Sequence, residues 1–217
     1  MGSLVELMAQ EFYGFGRWDA PYWFIGPEPG GEGNETRAKA FKKLGEDGLC
    51  DCKEFHAEIG ETRWHREPAE KTVLQPTWRR LMLLLMPSLG LGSDQITLRR
   101  FQCRLWGVRN AGETCVIELG GLSAKSLGTP SDRKSFRERR IESIKERIGK
   151  CNSGPKLVVL YGSASKPAWS RITGCDLRRG ELVKQGGTVF AFMNSPTAVG
   201  ETDDEWIKLG ARIAEQR

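Results

Sequence analysis

The sequence predicts an α/β fold: a three-layer α/β/α sandwich with a central, mostly parallel four-stranded sheet, as one domain over residues 1–217. Two observations carry this. Four short runs, 22–25, 114–119, 157–161 and 188–193, are apolar or β-branched, and each is closed by glycine or a turn residue. Helical patterns fall between them, and strands that alternate with helices pair in parallel with both faces covered. A third observation sets the size: 217 residues fill one core, with no break in composition, no repeat and no membrane-length apolar run.

In chain order, Tyr22-Trp23-Phe24-Ile25 is continuously apolar, as a strand buried on both faces is. Loops are expected over 14–19, 31–35 and 45–51, where glycine and acidic residues cluster. A polar connector follows over 54–71. Residues 77–86 (TWRRLMLLLM) are so apolar that the helix they form must be largely buried. The helix over 131–148 starts after Thr129-Pro130 and lines up Ile141, Ile144 and Ile148. Thr202-Asp203-Asp204-Glu205 is a capping box, and it opens a final helix with Trp206, Leu209 and Ile213 on one face.

Composition narrows the function. The net charge is +5, the pI near 8.9, and the cations cluster. Arg133, Lys134, Arg137, Arg139, Arg140, Lys145, Arg147 and Lys150 lie on one predicted helix, with doublets at Arg79-Arg80 and Arg99-Arg100. Such clustering suits a polyanionic partner; a solvated helix face laced with Glu138, Glu142 and Glu146 fits the helix as well. The six cysteines, with no export signal, read as mainly reduced thiols; a four-cysteine metal site using Cys50 and Cys52 is the weaker reading, since Cys50-Asp51-Cys52 has one residue between its thiols and not the two of a knuckle. The two histidines, His56 and His65, exclude mechanisms that need several. A cytoplasmic, monomeric protein with no membrane partner is expected.

Chemistry concentrates in the turns. After the first strand, Gly26-Pro27-Glu28-Pro29-Gly30-Gly31 holds one carboxylate between two φ-locked prolines, with glycines that let backbone N–H groups approach a ligand. A tight strand-to-helix turn with a solvated acid fits the same residues. The second strand ends in Glu118-Leu119-Gly120-Gly121 and the fourth in Asn194-Ser195-Pro196-Thr197-Ala198-Val199. In a parallel sheet these turns share one edge, where open α/β sheets place their ligands. A rigid carboxylate facing a hydroxyl-and-amide loop is a plausible hydrolytic site.

These residues resemble the uracil-DNA glycosylase superfamily. Its first motif, a strand followed by Gly-x-Asp/Asn-Pro-Tyr/Gly, is similar to Gly26-Pro27-Glu28-Pro29-Gly30, with Glu28 in the catalytic place. The superfamily keeps a base-stacking aromatic thirteen residues on, and position 41 is Phe41. Its His-Pro-Ser motif and wedge loop are matched by Ser195-Pro196-Thr197 and Val199, and its third strand ends in a glycine, here Gly162. The chain departs from the pattern at Ser195, which replaces histidine, and at Glu118, Leu119 and Gly120, where the superfamily often has asparagine. The iron–sulfur cysteine pattern of some branches is not reproduced.

The resemblance implies a monofunctional DNA glycosylase that flips uracil from single- or double-stranded DNA and hydrolyses its N-glycosidic bond in base excision repair, with no cofactor or metal. Glu28 would activate water, and Asn194, Ser195 or Thr197 would stabilise the departing base. Gly26, Pro27, Pro29, Gly30, Phe41, Glu118 and Gly120 would shape the substrate site. Gly31, Ser163, Pro196 and Val199 would touch DNA. Location near a bacterial nucleoid would follow. Plainer roles stand beside these: Phe41 in the core, residues 195–197 as a helix-start turn, and His56 and His65 exposed on the connector, from which either could otherwise reach the site and replace the missing histidine. A non-catalytic nucleic-acid-binding relative, a glycosylase for another deaminated base and a small-molecule hydrolase are the competing functions.

Overall fold

The computed structural model describes residues 3–30, 33–110, 112–123, 130–150 (side chains from 136) and 154–216. The chain is a mixed α/β protein whose sheet has seven strands. They are β1 (Gly14–Phe15), β2 (Tyr22–Gly26), β3 (Leu49–Cys50), β4 (Thr114–Glu118), β5 (Leu157–Tyr161), β6 (Leu182–Gln185) and β7 (Thr188–Met193). The order is β3-β1-β4-β2-β5-β7-β6. The central four, β4-β2-β5-β7, are mutually parallel and coincide with the expected runs to within a residue at their ends.

The expected sheet of four strands is thus incomplete. β1 and β3 lie in segments read as loops, and they form because β1 runs antiparallel to β4 and parallel to β3. β6 adds an antiparallel edge against β7, with its two inner residues half-buried and its two outer ones exposed. Two-residue strands carry no periodicity; their pairing comes from the neighbouring strand, not from their own residues.

Every residue of the central strands is buried, and their side chains alternate between two apolar clusters. On one face, Phe24, Val116, Val159 and Ala191 meet Met8 and Phe12 of the N-terminal segment, where α1 is Leu4–Glu11. The same cluster takes in α2 (Asn34–Leu44), α3 (Cys52–Glu58), α4 (Pro76–Ser88), α5 (Gln95–Arg104) and α8 (Asp203–Ala214). On the other face, Trp23, Ile117, Leu160 and Phe192 meet Ile141 and Ile144 of α6 (Pro130–Lys150) and Trp169 and Ile172 of α7 (Lys166–Thr173).

Local signals set the helix ends. Gln75 caps α4 by accepting the Trp78 N–H at 2.7 Å, and Pro76 occupies the first turn, where no N–H is required. α4 is buried nearly all round, as its composition demands, and α8 packs on it so closely that a Cβ at Gly210 would overlap the Leu84 carbonyl. The Thr202/Glu205 capping box starts α8 as the sequence predicts. No helix among the described residues is long and apolar enough to cross a membrane.

Candidate active site

Parallel pairing puts the carboxyl ends of β4, β2, β5 and β7 on one edge. The chain leaves β2 for β4 on one side and then returns to β5 on the other, which makes the end of β2 a topological switch point. Gly26 is in register with Glu118, and the ladder runs on past the strands: Leu119 N–H donates to Gly26 O and Gly120 N–H to Pro27 O, each at 2.8 Å. The Pro27-Glu28-Pro29 turn is therefore clamped by backbone as well as by its prolines.

Glycines permit the close approaches. A Cβ at Gly26 would overlap the Tyr161 phenol, and one at Gly120 would sit 3.0 Å from Glu28 Cγ. Gly162, at φ +95°, passes 3.3 Å from the Pro27 ring when a Cβ is placed on it. The half-buried Glu28 side chain accordingly lies over Gly120, braced by the two turns.

Two cavities flank this turn. A small one of about 70 Å³ is lined by Pro27, Glu28, Gly120, Leu122, Arg137 and Arg140. A larger one of about 320 Å³ lies beside Pro29 and Gly30, with Glu118, Arg37, His56, Glu61, Arg63 and Gln75 as its charged or polar groups and Phe15, Trp64 and Trp78 among its walls. Its size is that of a small-molecule site.

The electrostatics are unusual for a protein interior. Burial pushes the Glu118 carboxyl up to about 7, against the pull of Arg37 and Arg140, and Glu28 adds to the rise. Arg37 is buried, its pKa lowered by desolvation; its guanidinium lies 5.5 Å from the Phe55 ring centroid and its Nε has no hydrogen-bond partner. Arg140 is 1 % exposed, its pKa lowered to about 10 by burial. It donates to the carbonyls of Leu119, Phe12 and Glu118 at 2.7 Å each, so it stitches the end of β4 to the N-terminal segment. The Tyr161 phenol is raised by burial, with Glu118 adding to the rise.

The other expected site residues scatter. Phe41 is in the core, its ring 5.4 Å from that of Phe12 in an edge-on contact, and it lines neither cavity. Asn194 spends its amide on Glu201 at 2.9 Å, while Ser195 and Thr197 hydroxyls lie 3.3 Å apart. Pro196 is buried, its carbonyl held by Arg80. Ser163 is exposed at the end of β5, and Val199 is fully exposed on its loop. Gly31 lies outside the described residues.

Three sequence expectations are corrected. His56 and His65 are buried, at 7 % and 6 % exposure, because α3 and the 3-10 turn Thr62–His65 fold inward against Trp78. Burial lowers both imidazoles to about 4. Arg140, read as part of a solvated face, is interior. Part of the basic clusters is ion-paired within the chain, Arg79 and Arg80 to Asp203, Arg100 to Glu70, Arg139 to Glu11 and Arg147 to Asp47, while the side chains of Arg133 and Lys134 lie outside those described.

No family model matches the sequence, and no curated protein matches it.

Proposed function

We propose that the chain is a monofunctional DNA glycosylase, built as a uracil-DNA glycosylase-like sandwich, which removes uracil from DNA by hydrolysing its N-glycosidic bond and leaves an abasic site. The observation that carries this reading is Glu28: a carboxylate fixed between two prolines and over Gly120, at the carboxyl edge of the parallel strands, on a turn flanked by two cavities. A turn that needed only to reverse the chain would not require this bracing.

In this mechanism the target nucleotide leaves the stack, at a cost of a few kcal/mol, and the base enters the larger cavity. Glu28 orients the attacking water and offsets the positive charge that grows on the sugar. Arg37, which lines that cavity, offsets the negative charge on the departing base in place of Asn194, Ser195 or Thr197, none of which lines it; the Asn194 amide is committed to Glu201. Trp64 and Trp78, which line that cavity, take the stacking role in place of Phe41, which does not. Glu118, protonated below about pH 7, offers one donor and one acceptor, the pair an asparagine amide would present to the N3–H and O4 edge of uracil. Val199, fully exposed, fills the gap left in the stack.

The test is incubation with a labelled duplex carrying one uracil, followed by alkali. Strand breaks at the uracil, absent from an unmodified duplex, are expected. Breaks only at hypoxanthine would move the reading to another deaminated base. DNA binding without base release from any duplex would overturn the enzyme in favour of a binding protein of the same architecture.

A further inference from the structure

Outside the Glu28 turn, one cluster of side chains stands unexplained. Cys52, His56 and His65 are all buried, and one donor atom from each lies within 4.8 Å of the other two. Cys52 Sγ is 3.5 Å from His56 Nδ1, one helical turn along α3. Both ring nitrogens of His65 are buried with no hydrogen-bond partner; the backbone of Gln102 and Cys103 faces the ring only outside hydrogen-bond geometry. Burying two unsatisfied nitrogens is costly, and a native fold that retains them needs a reason.

We infer that Cys52, His56 and His65 bind one zinc ion, with a fourth coordination position left for water. One thiolate and two imidazoles are a borderline-soft set that suits zinc and does not suit magnesium or calcium, which demand oxygen. Tetrahedral zinc sets neighbouring donors about 3.3–3.8 Å apart, so closure needs side-chain rotation on the order of 1 Å.

The surroundings are built for such an ion. Asp51 is not a competing ligand: its Oδ1 caps α3 through the N–H groups of Lys53 and Glu54, and its Oδ2 accepts from Arg109 N–H. The turn bearing His65 is fixed by Gln102, whose amide donates to Trp64 O at 2.8 Å and Val73 O at 2.9 Å. Phe15, Phe55 and Trp78 pack against the imidazoles and hold the rings in place. His56 Nδ1 donates to the Cys52 carbonyl at 2.7 Å, which places the lone pair of that ring on Nε2. Arg37, whose charge acts on both Cys52 and His56, opposes a dication there.

Binding is proton-coupled and redox-neutral: zinc enters, the Sγ–metal bond replaces S–H, and one proton leaves to solvent. The ion would tie α3 to the turn carrying Arg63 and Trp64, the wall of the larger cavity. The site stands whether or not the glycosylase reading does.

The experiment uses the full chain, reduced and stripped with chelator, titrated with Co²⁺ and then with Zn²⁺ in competition. The expected result is one equivalent of Co²⁺ with a near-ultraviolet sulfur-to-cobalt charge-transfer band, displaced by zinc. Cys52→Ser should abolish the band and His65→Gln weaken binding by tenfold or more, while Cys103→Ser leaves both unchanged. Near-ultraviolet circular dichroism checks the variants' fold. Absence of the band in the wild-type chain, or its persistence in Cys52→Ser, would overturn the site, and the wild-type measurement does so even where a variant fails to fold.

Discussion

Glu28 and Glu118 show how position, not residue type, divides labour between two carboxyls. Glu28 is half-buried on a braced turn, whereas Glu118 is held at the end of a core strand. Arg37 on α2, Arg140 on α6, Glu28 on the turn and Tyr161 on β5 act on or sense its charge, and His56 of α3 lines the same cavity. In the proposed reaction neutral Glu118 reads the base, so excision should fall as pH rises through about 7, and Glu118→Gln should flatten that limb in single-turnover rates. The sign for stability follows from the same shift. A carboxyl raised from 4.5 to about 7 gives the folded state more protons than the unfolded one, so its contribution is full below 4.5 and is lost as pH rises to about 7. Thermal unfolding should show that decline in the wild type and a smaller one in Glu118→Gln. Gly120→Ala places a methyl 3.0 Å from Glu28 Cγ; displacement of the carboxylate should slow excision by about tenfold or more with the fold retained, read from rate and circular dichroism together. The Glu28 turn was legible in sequence because two prolines and its glycines are local signals. The burial of His56 and His65 was not, because α3 has only seven residues and the turn beyond it four, too short for a periodic stripe.

At the scale of elements, the parallel strands were legible because each is a continuous apolar run, and α4 because its burial is written in its composition. β1, β3 and β6 were hidden, since their hydrogen bonds come from strands distant in sequence. Arg140 is a subtler case. The apolar stripe Ile141, Ile144 and Ile148, continued back by one turn, passes through Arg137 and Arg140, and Arg140 faces the core as that geometry requires. Arg140→Met should destabilise the protein by about 3 kcal/mol, because the carbonyls of Phe12, Glu118 and Leu119 lose their donor; chemical denaturation measures it. Gly210→Ala, which drives a methyl into the Leu84 carbonyl between α4 and α8, should cost about 1–3 kcal/mol or more without touching the site.

On the whole-molecule scale, the pairing of its arginines sets the charge that the proposed DNA partner would meet. Asp203, Glu70, Glu11 and Asp47 already neutralise much of the charge that the sequence displays as basic clusters. Affinity for duplex DNA should therefore carry a shallow salt dependence, with a log–log slope of about −2 to −4, corresponding to a few neutralised phosphates. Recognition would then rest on the cavity and the exposed Val199 loop more than on long-range charge. In the proposed reaction Glu28 is the carboxylate that breaks the glycosidic bond. The most direct test is single-turnover uracil excision by the wild-type chain and Glu28→Gln, with duplex affinity and unfolding measured on the same preparations. A rate lowered by about 10²–10⁴ at unchanged affinity and stability is the expected result. An equal rate in the two proteins would contradict the mechanism.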